Sequence, residues 1–449
     1  MGKTRGLGRD AGRARELLER LCRQPSVAAQ GFGIDEMANL TETLLREAGF
    51  ATRQLTVAGA PPIVYGEQRG RSPFTLLLYN HYDVQPAEPL NQWDSPPFEP
   101  AVRGGKFYAR GAADDKGEIA VRLAAIHALR EEDGTLPVTV KWIVEGEEEV
   151  GSAHFGAIIA PHVDLLRADG CLWEGGPTSQ PSLCLGWKGM LYVELDVRAL
   201  TRDAHSMEAT ILPSAAWRLV RALGTLRDPD GRVRIPGFYD AVRAPTQAEQ
   251  EALAALPNRE AKTREAYGIE RFVDDLTGSA LRERDAFGPT CNIAGIACGY
   301  VGEGAKTVLP ARATAKLDVR LVPEQDPQAI AAALRAYLDD DGYEDVRMTV
   351  LWDASPVMTP LNDPFVQCVT AIMRAYDPDH PPVIQPLLGG TYGALGPFRD
   401  HVGVPWLCTS GNVSYNGCNG HAPNENIRLE DLPRAINFTT YLLRALGEA

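Results

Sequence analysis

The chain has 449 residues, 44% of them hydrophobic and 23% charged, which is the balance of a globular protein long enough to split into two domains. Against 45 lysines and arginines stand 59 aspartates and glutamates, a formal net charge of −14 that argues against a nucleic-acid surface. The eight cysteines are scattered without a CxxC pair, and no uninterrupted apolar stretch approaches the roughly 18 residues of a membrane span, so neither a disulfide framework nor a zinc knuckle nor a membrane anchor is expected.

The N-terminal Met1-Gly2-Lys3-Thr4-Arg5 is basic but leads into no apolar region, so a signal peptide is not expected and a cytoplasmic setting fits. Residues 12–23 and 34–48 carry the apolar spacing of amphipathic helices, the second stopping before Gly49. Residues 74–80 read as a buried strand. Residues 117–130 read as an Ala- and Leu-rich helix that leads through Asp133-Gly134 into a second buried strand at 138–144. A short strand is expected at 170–173. Strands alternating with helices imply an α/β domain whose central sheet is mostly parallel and flanked by helices.

Near Gly186 the texture changes. Residues 190–199, 311–321 and 346–352 alternate like antiparallel strands with one wet face, with a helix at 327–338 and a charged, helical stretch at 246–284. This is the pattern of a smaller α+β unit inserted into the larger domain. The expected division is therefore 1–186 and 356–449 for the larger domain and 187–355 for the insertion, with a closing helix at 432–446.

The run Glu145-Gly146-Glu147-Glu148-Glu149 ends the strand at 138–144, and carboxylates converging at a buried strand end are costly unless something positive sits among them. A metal cluster is the economical explanation. His81-Tyr82-Asp83 follows the strand at 74–80, with His81 and Asp83 on one face, so that Asp83 can accept from the imidazole and fix its tautomer. Asp114-Asp115-Lys116-Gly117 precedes the helix at 117. One Asp there can cap the helix, or Asp114 can bridge two cations while Asp115 or the backbone caps. Glu174 follows the short strand, and His421 lies in a Gly/Asn-rich loop. Two histidines with three or four carboxylates make a mixed N/O set suited to Zn²⁺, Mn²⁺ or Co²⁺. No Gly-x-Ser-x-Gly elbow is present, which argues against a serine hydrolase. His127, His154, His162, His380 and His401 lack partner motifs and are expected to be structural or solvated.

Four stretches carry a resemblance: 81–86 (His-Tyr-Asp-Val-Gln-Pro), 110–117 (Arg-Gly-Ala-Ala-Asp-Asp-Lys-Gly), 145–152 (Glu-Gly-Glu-Glu-Glu-Val-Gly-Ser) and 421–425 (His-Ala-Pro-Asn-Glu). With 230–240, 306–311 and 320–323 in the insertion, the chain resembles the M20 family of co-catalytic metallopeptidases, near its cytosolic dipeptidase and carnosinase-like branch. The resemblance implies a catalytic domain with an inserted lid that forms a homodimer. It implies two divalent metal ions, zinc foremost with manganese or cobalt as alternatives. His81 and Glu174 would bind one ion, His421 and Glu149 the other, and Asp114 both. Asp83 would orient His81, and Glu148 would be the general base. His205 would polarise the scissile carbonyl from the partner subunit, Arg320 would clamp a substrate carboxylate near the turn that holds Gly390, and Thr307 would also bind substrate. Glu174 stands where carnosinase-like relatives carry Asp, and both types ligate.

The implied activity is hydrolysis of a dipeptide or short peptide beside a free carboxylate. The metal motifs leave open an N-acyl-amino-acid deacylase of the same family, and a metal-binding scaffold without catalysis. No nucleic-acid or membrane partner is expected.

Overall fold

The computed structural model describes residues 4–175, 181–409 and 413–448, with side chains described from Gly8 onward; Met1, Gly2 and Lys3 of the basic N-terminus lie outside it. The chain forms two compact units. The first comprises Met1–Leu185, Thr359–Pro386 and Tyr392–Ala449, and the second Gly186–Met358 with Leu387–Thr391.

Among the described residues of the first unit, eight strands form one mixed sheet. Their order is Ala51–Leu55, Ile63–Gln68, Thr139–Glu145, Thr75–His81, Gly170–Trp173, Trp406–Thr409, Ser182–Cys184 and Val383–Gln385. Its centre is parallel: Thr75–His81 runs alongside both Thr139–Glu145 and Gly170–Trp173, and Gly170–Trp173 alongside Trp406–Thr409. Antiparallel pairings join the Ala51–Leu55 and Ile63–Gln68 strands to one side of that centre. Thr75–His81 is buried from Leu76 to His81, as a parallel strand covered on both faces must be. Its register sets His81 opposite Glu145, so the two strands end level and their following loops leave from one edge.

The helix Lys116–Asp133 is buried on nearly every side because it lies between the neighbouring helices Thr4–Arg23 and Asp431–Glu448 and the sheet. Its alanines permit the close approach. Gly134, at φ 74°, closes it by donating to the Arg130 carbonyl. No described helix is long and apolar enough to cross a membrane.

The second unit is built on an antiparallel sheet, ordered Asn292–Cys298, Arg312–Leu321, Gly189–Arg198 and Arg347–Ala354. Strand alternation puts Leu191, Val193, Leu195 and Val197 with Ala313, Ala315, Leu317 and Val319 on one buried face, against the helices Ala215–Thr225 and Pro327–Asp340. Asp326 accepts from the Gln328 N–H at the start of the latter helix, where Pro327 needs no donor of its own. The charged stretch at 246–284 carries the helices Gln247–Ala255 and Glu260–Tyr267 and most of Gly278–Phe287. Asn292–Cys298 was not expected from the sequence. Its Asn-Ile-Ala-Gly-Ile-Ala-Cys has no two-residue alternation, because this edge strand is exposed along nearly its whole length.

Candidate metal centre

Strand ends and loops of the first unit bring together every residue that the sequence assigned to metal chemistry. His81, the last residue of its strand, is fully buried. Its Nε2 lies 3.1 Å from Asp114 Oδ1 and 3.2 Å from Glu174 Oε2. Asp114 Oδ2 lies 3.1 Å from His421 Nε2, and that nitrogen is also 3.1 Å from Glu149 Oε2. The Asp114 carboxylate therefore stands between two imidazoles with one oxygen toward each. Donor atoms of His81, Glu148 and Glu174 lie within 4.8 Å of one another, as do those of His81, Asp114 and Glu149.

Asp83 does more than face the imidazole. The His81 Nδ1 is 3.0 Å from the Asp83 carbonyl oxygen and 3.4 Å from its carboxylate. The carboxylate accepts from the Glu148 N–H at 3.2 Å and the Glu149 N–H at 3.0 Å, seating the short helical turn Glu148–Val150 at its open N-terminal end. Asp115 does not cap the Lys116–Asp133 helix with its side chain; the carboxylate accepts instead from the Asn80 amide.

The four glutamates of the acidic run have separate surroundings. Glu145 accepts from the Tyr79 hydroxyl at 2.6 Å, and Glu147 pairs with His154 at 2.9 Å. Glu149 accepts from the Gln85 amide at 3.0 Å. Among the described residues no hydrogen bond engages the Glu148 carboxylate; burial, with Glu149, Asp114 and Asp83 nearby, holds its pKa well above the carboxylate range although His81 pulls the other way. Burial opposes charge on His81, but Glu174, Asp114 and Asp83 outweigh it and raise its pKa. Asp114 and Glu149 push His421 up to about 10. Asp114 itself is held low by the two imidazoles, against its burial.

These opposed shifts describe a pocket with more carboxylates than its imidazoles can neutralise. Glu174 Oε2 is buried and makes no hydrogen bond, its close neighbour being the His81 Nε2. A buried anionic oxygen without a donor is costly, and a cation among these N and O donors removes the cost. The residues present fit divalent metal.

Gln85, which holds Glu149, and the buried Arg122 were given no role from sequence. Gln85 sits inside the quoted stretch 81–86, and that was its signal. Arg122 donates to the Tyr79 carbonyl and Asn80 Oδ1, each at 2.7 Å, and to the Trp173 carbonyl at 2.9 Å, so it grips the strands that deliver His81 and Glu174.

The remaining candidates belong to the second unit. His205 ends the two-residue strand Ala204–His205 and is exposed. Its Nδ1 accepts from the Met207 N–H at 3.1 Å, which leaves the proton on Nε2, 3.4 Å from the Thr307 hydroxyl. Arg320 pairs with Asp318 at 3.1 Å and donates to the Gly389 carbonyl at 3.2 Å and the Thr391 hydroxyl at 3.1 Å. A Cβ at Gly390 would stand 2.9 Å from the Trp187 ring, so only glycine lets this loop lie on the indole.

Residues 77–445 match the profile of peptidase family M20/M25/M40. Beta-Ala-His dipeptidase of Homo sapiens is 31% identical over 290 residues, 62% of this chain and 56% of that protein. A Cys-Gly metallodipeptidase of Schizosaccharomyces pombe is 32% identical over 290 residues, 62% of this chain and 60% of its own length. The match thus spans less than two thirds of either relative. The solved structure of an M20 family metallo-carboxypeptidase from Sulfolobus solfataricus superposes with a TM-score of 0.89 at 34% identity, covering 97% of this chain and 99% of that one. With the profile match running through both units, the chain belongs to peptidase family M20/M25/M40.

Proposed function

We propose that this chain is a dinuclear metal-dependent hydrolase that cleaves the amide bond of a dipeptide or short peptide beside a free carboxylate. The observation that carries the proposal is the Asp114 carboxylate, with one oxygen 3.1 Å from each of two imidazoles. His81 and Glu174 would hold one ion, His421 and Glu149 the other, and Asp114 both, with Zn²⁺ the first choice and Mn²⁺ or Co²⁺ suited to the same donors. Bound there, such ions acidify water and polarise a carbonyl.

The chain's own residues supply the rest. Glu148 is the carboxylate of the acidic run that no hydrogen bond engages among the described residues, which leaves it open to take a proton from water and return it to the leaving amine. Asp83 keeps that base in place through the N–H groups of Glu148 and Glu149. His205, in the tautomer with its proton on Nε2, is a donor for the oxyanion that develops on the scissile carbonyl, reaching it from a second subunit. Arg320 would receive the substrate carboxylate by exchanging part of its pairing with Asp318, with Gly390 beside it, while Thr307, next to His205, would come to the substrate with that histidine.

A homodimer through the second unit is supported by its edge strand Asn292–Cys298, whose Ile293 and Ile296 are exposed, and by exposed Met207, Ile211 and Trp217. Two named relatives act on the dipeptides Beta-Ala-His and Cys-Gly, which favours a dipeptide over an acylated amino acid.

The test is Glu148→Gln assayed on a panel of dipeptides and of N-acetyl and N-succinyl amino acids. The variant should keep its metal yet lose about 10²–10⁴-fold in kcat, the scale of a general base. A near wild-type rate would refute the role, and wild-type cleavage of the acylated amino acids alone would replace the dipeptide reading with a deacylase.

A further inference from the structure

Behind the metal ligands lies a buried carboxylate that none of the site chemistry uses. Glu425 is 1% exposed and sits four residues after His421. Its Oε2 accepts from Arg110 Nη1 and from the Gly111 N–H, each at 2.8 Å. Its Oε1 accepts from the Ala113 N–H at 2.8 Å and the Asp114 N–H at 3.1 Å. One carboxylate thus binds three backbone donors of the turn that ends at Asp114, and its own carbonyl accepts from the Ala109 N–H at 3.2 Å. The same loop is held from its other side by Asn424, which accepts from the Asp94 N–H and donates to the Gln92 carbonyl, each at 3.0 Å.

We propose that Glu425 is a positioning residue that sets the separation of Asp114 and His421, and with it chiefly the affinity of the cation beside His421 and Glu149. The proposal rests on the two-cation reading of the site. Asp114 and His421 come from segments more than 300 residues apart, and the Glu425 carboxylate is a direct link between their loops. His81 and Glu174 stand on the ends of adjoining strands of the sheet and do not depend on that link. Loss of Glu425 should therefore fall mainly on the ion beside His421, the ion at His81 and Glu174 feeling only what reaches it through the shared Asp114. A loop merely closed for stability would need no buried charge; Asn and Gly turns would serve, and a desolvated carboxylate is an expensive substitute.

The experiment titrates Co²⁺ alone into chelator-stripped full-length wild type, Glu425→Gln and Glu425→Asp, followed by calorimetry and by the visible d–d absorption. Wild type should take up two equivalents. Glu425→Gln presents an NH₂ group to two of the four donors and should loosen one ion by about 10–100-fold, while the other shifts less than about 3-fold. Glu425→Asp keeps the charge but draws it back by one methylene, and should loosen the same ion to a smaller degree. If Glu425→Gln does not fold by circular dichroism, Glu425→Asp is read in its place, and failure of both to fold overturns the role by assigning the carboxylate to the fold. Two equivalents bound by Glu425→Gln at wild-type affinity overturn the role of Glu425 alone, as does an equal loss of both ions. A single equivalent in wild type overturns the two-cation reading and this role with it.

Discussion

Arg122 is the most exacting test of how the metal ligands are held. It is 4% exposed and ion-pairs with Glu118, itself 3% exposed, one helical turn earlier. Its guanidinium reaches the carbonyl of Tyr79, two residues before His81, and that of Trp173, one before Glu174. Glu118 in turn accepts from the N–H of Gly175, just after Glu174, at 2.9 Å. Arg122→Met keeps the apolar stem and deletes the charge. Two carbonyls lose a donor, at about 0.5–1.5 kcal/mol each, while Asn80 Oδ1 keeps its bond from the Trp142 indole. The larger cost is the unpaired Glu118: breaking a buried ion pair from one side is worth about 3–5 kcal/mol in all.

Two features separate this reasoning from a generic packing defect. Burial raises the Glu118 pKa and Arg122 opposes it, so without Arg122 the folded-state pKa rises further. An acid whose folded pKa is raised loses stability as pH climbs above its unfolded value, so the deficit of Arg122→Met should grow from pH 5 to pH 8. The double variant Arg122→Met, Glu118→Gln removes the stranded charge and should regain about half of the loss. Urea unfolding of the chelator-stripped protein, read by tryptophan fluorescence at several pH values, measures both. A single variant within about 1 kcal/mol of wild type, or a double variant no more stable than the single, would refute the argument.

Two further outcomes follow from the same site. Burial pushes Glu145 up to about 8, so between pH 4.5 and 8 the folded protein keeps a proton that the unfolded chain releases, and stability falls with pH by up to about 1.4 kcal/mol per unit. In Glu145→Gln that slope should vanish, so the variant gains on wild type from pH 5 to pH 8 in urea midpoints; a constant difference would show that Glu145 ionises normally. At Gly393 an added Cβ would lie 2.2 Å from the Gly151 carbonyl oxygen, a backbone atom at the end of the Glu148–Val150 turn. Gly393→Ala should cost about 1–3 kcal/mol and displace that turn, lowering hydrolysis well beyond the stability loss; unchanged kcat and KM would show that the turn absorbs the methyl group.

Much of this was legible in the sequence because charge at the end of an apolar strand has few explanations. Residues 170–173 and the helix beginning at 327 were readable from periodicity and punctuation alone, and the strand ends at His81 and Glu145 directed attention to their loops. The edge strand Asn292–Cys298 was not legible, since a strand wet on both faces has no pattern to show. Arg122 was hidden for the opposite reason. Glu118 and Arg122 stand four apart on a helix, an ordinary surface pairing, and only the burial of that part of the helix makes the pair structural.

The acidic run shows why register, and not composition, assigns chemistry. Carboxylates this close together cannot all be left charged and bare; each needs a proton, a cation or donors. Glu145, the last residue of its strand, turns to the Tyr79 hydroxyl and keeps its proton. Glu147 is met by His154, one of the histidines whose sequence surroundings gave it no partner. Glu149 is shared by Gln85 and His421. Glu148 alone has no such partner, yet Asp83 fixes its backbone beside His81 and Glu174. A group whose position is secured through its backbone, and whose carboxylate is left unengaged, can exchange a proton without dismantling the site around it. That is the requirement for a general base, and within this run only Glu148 meets it.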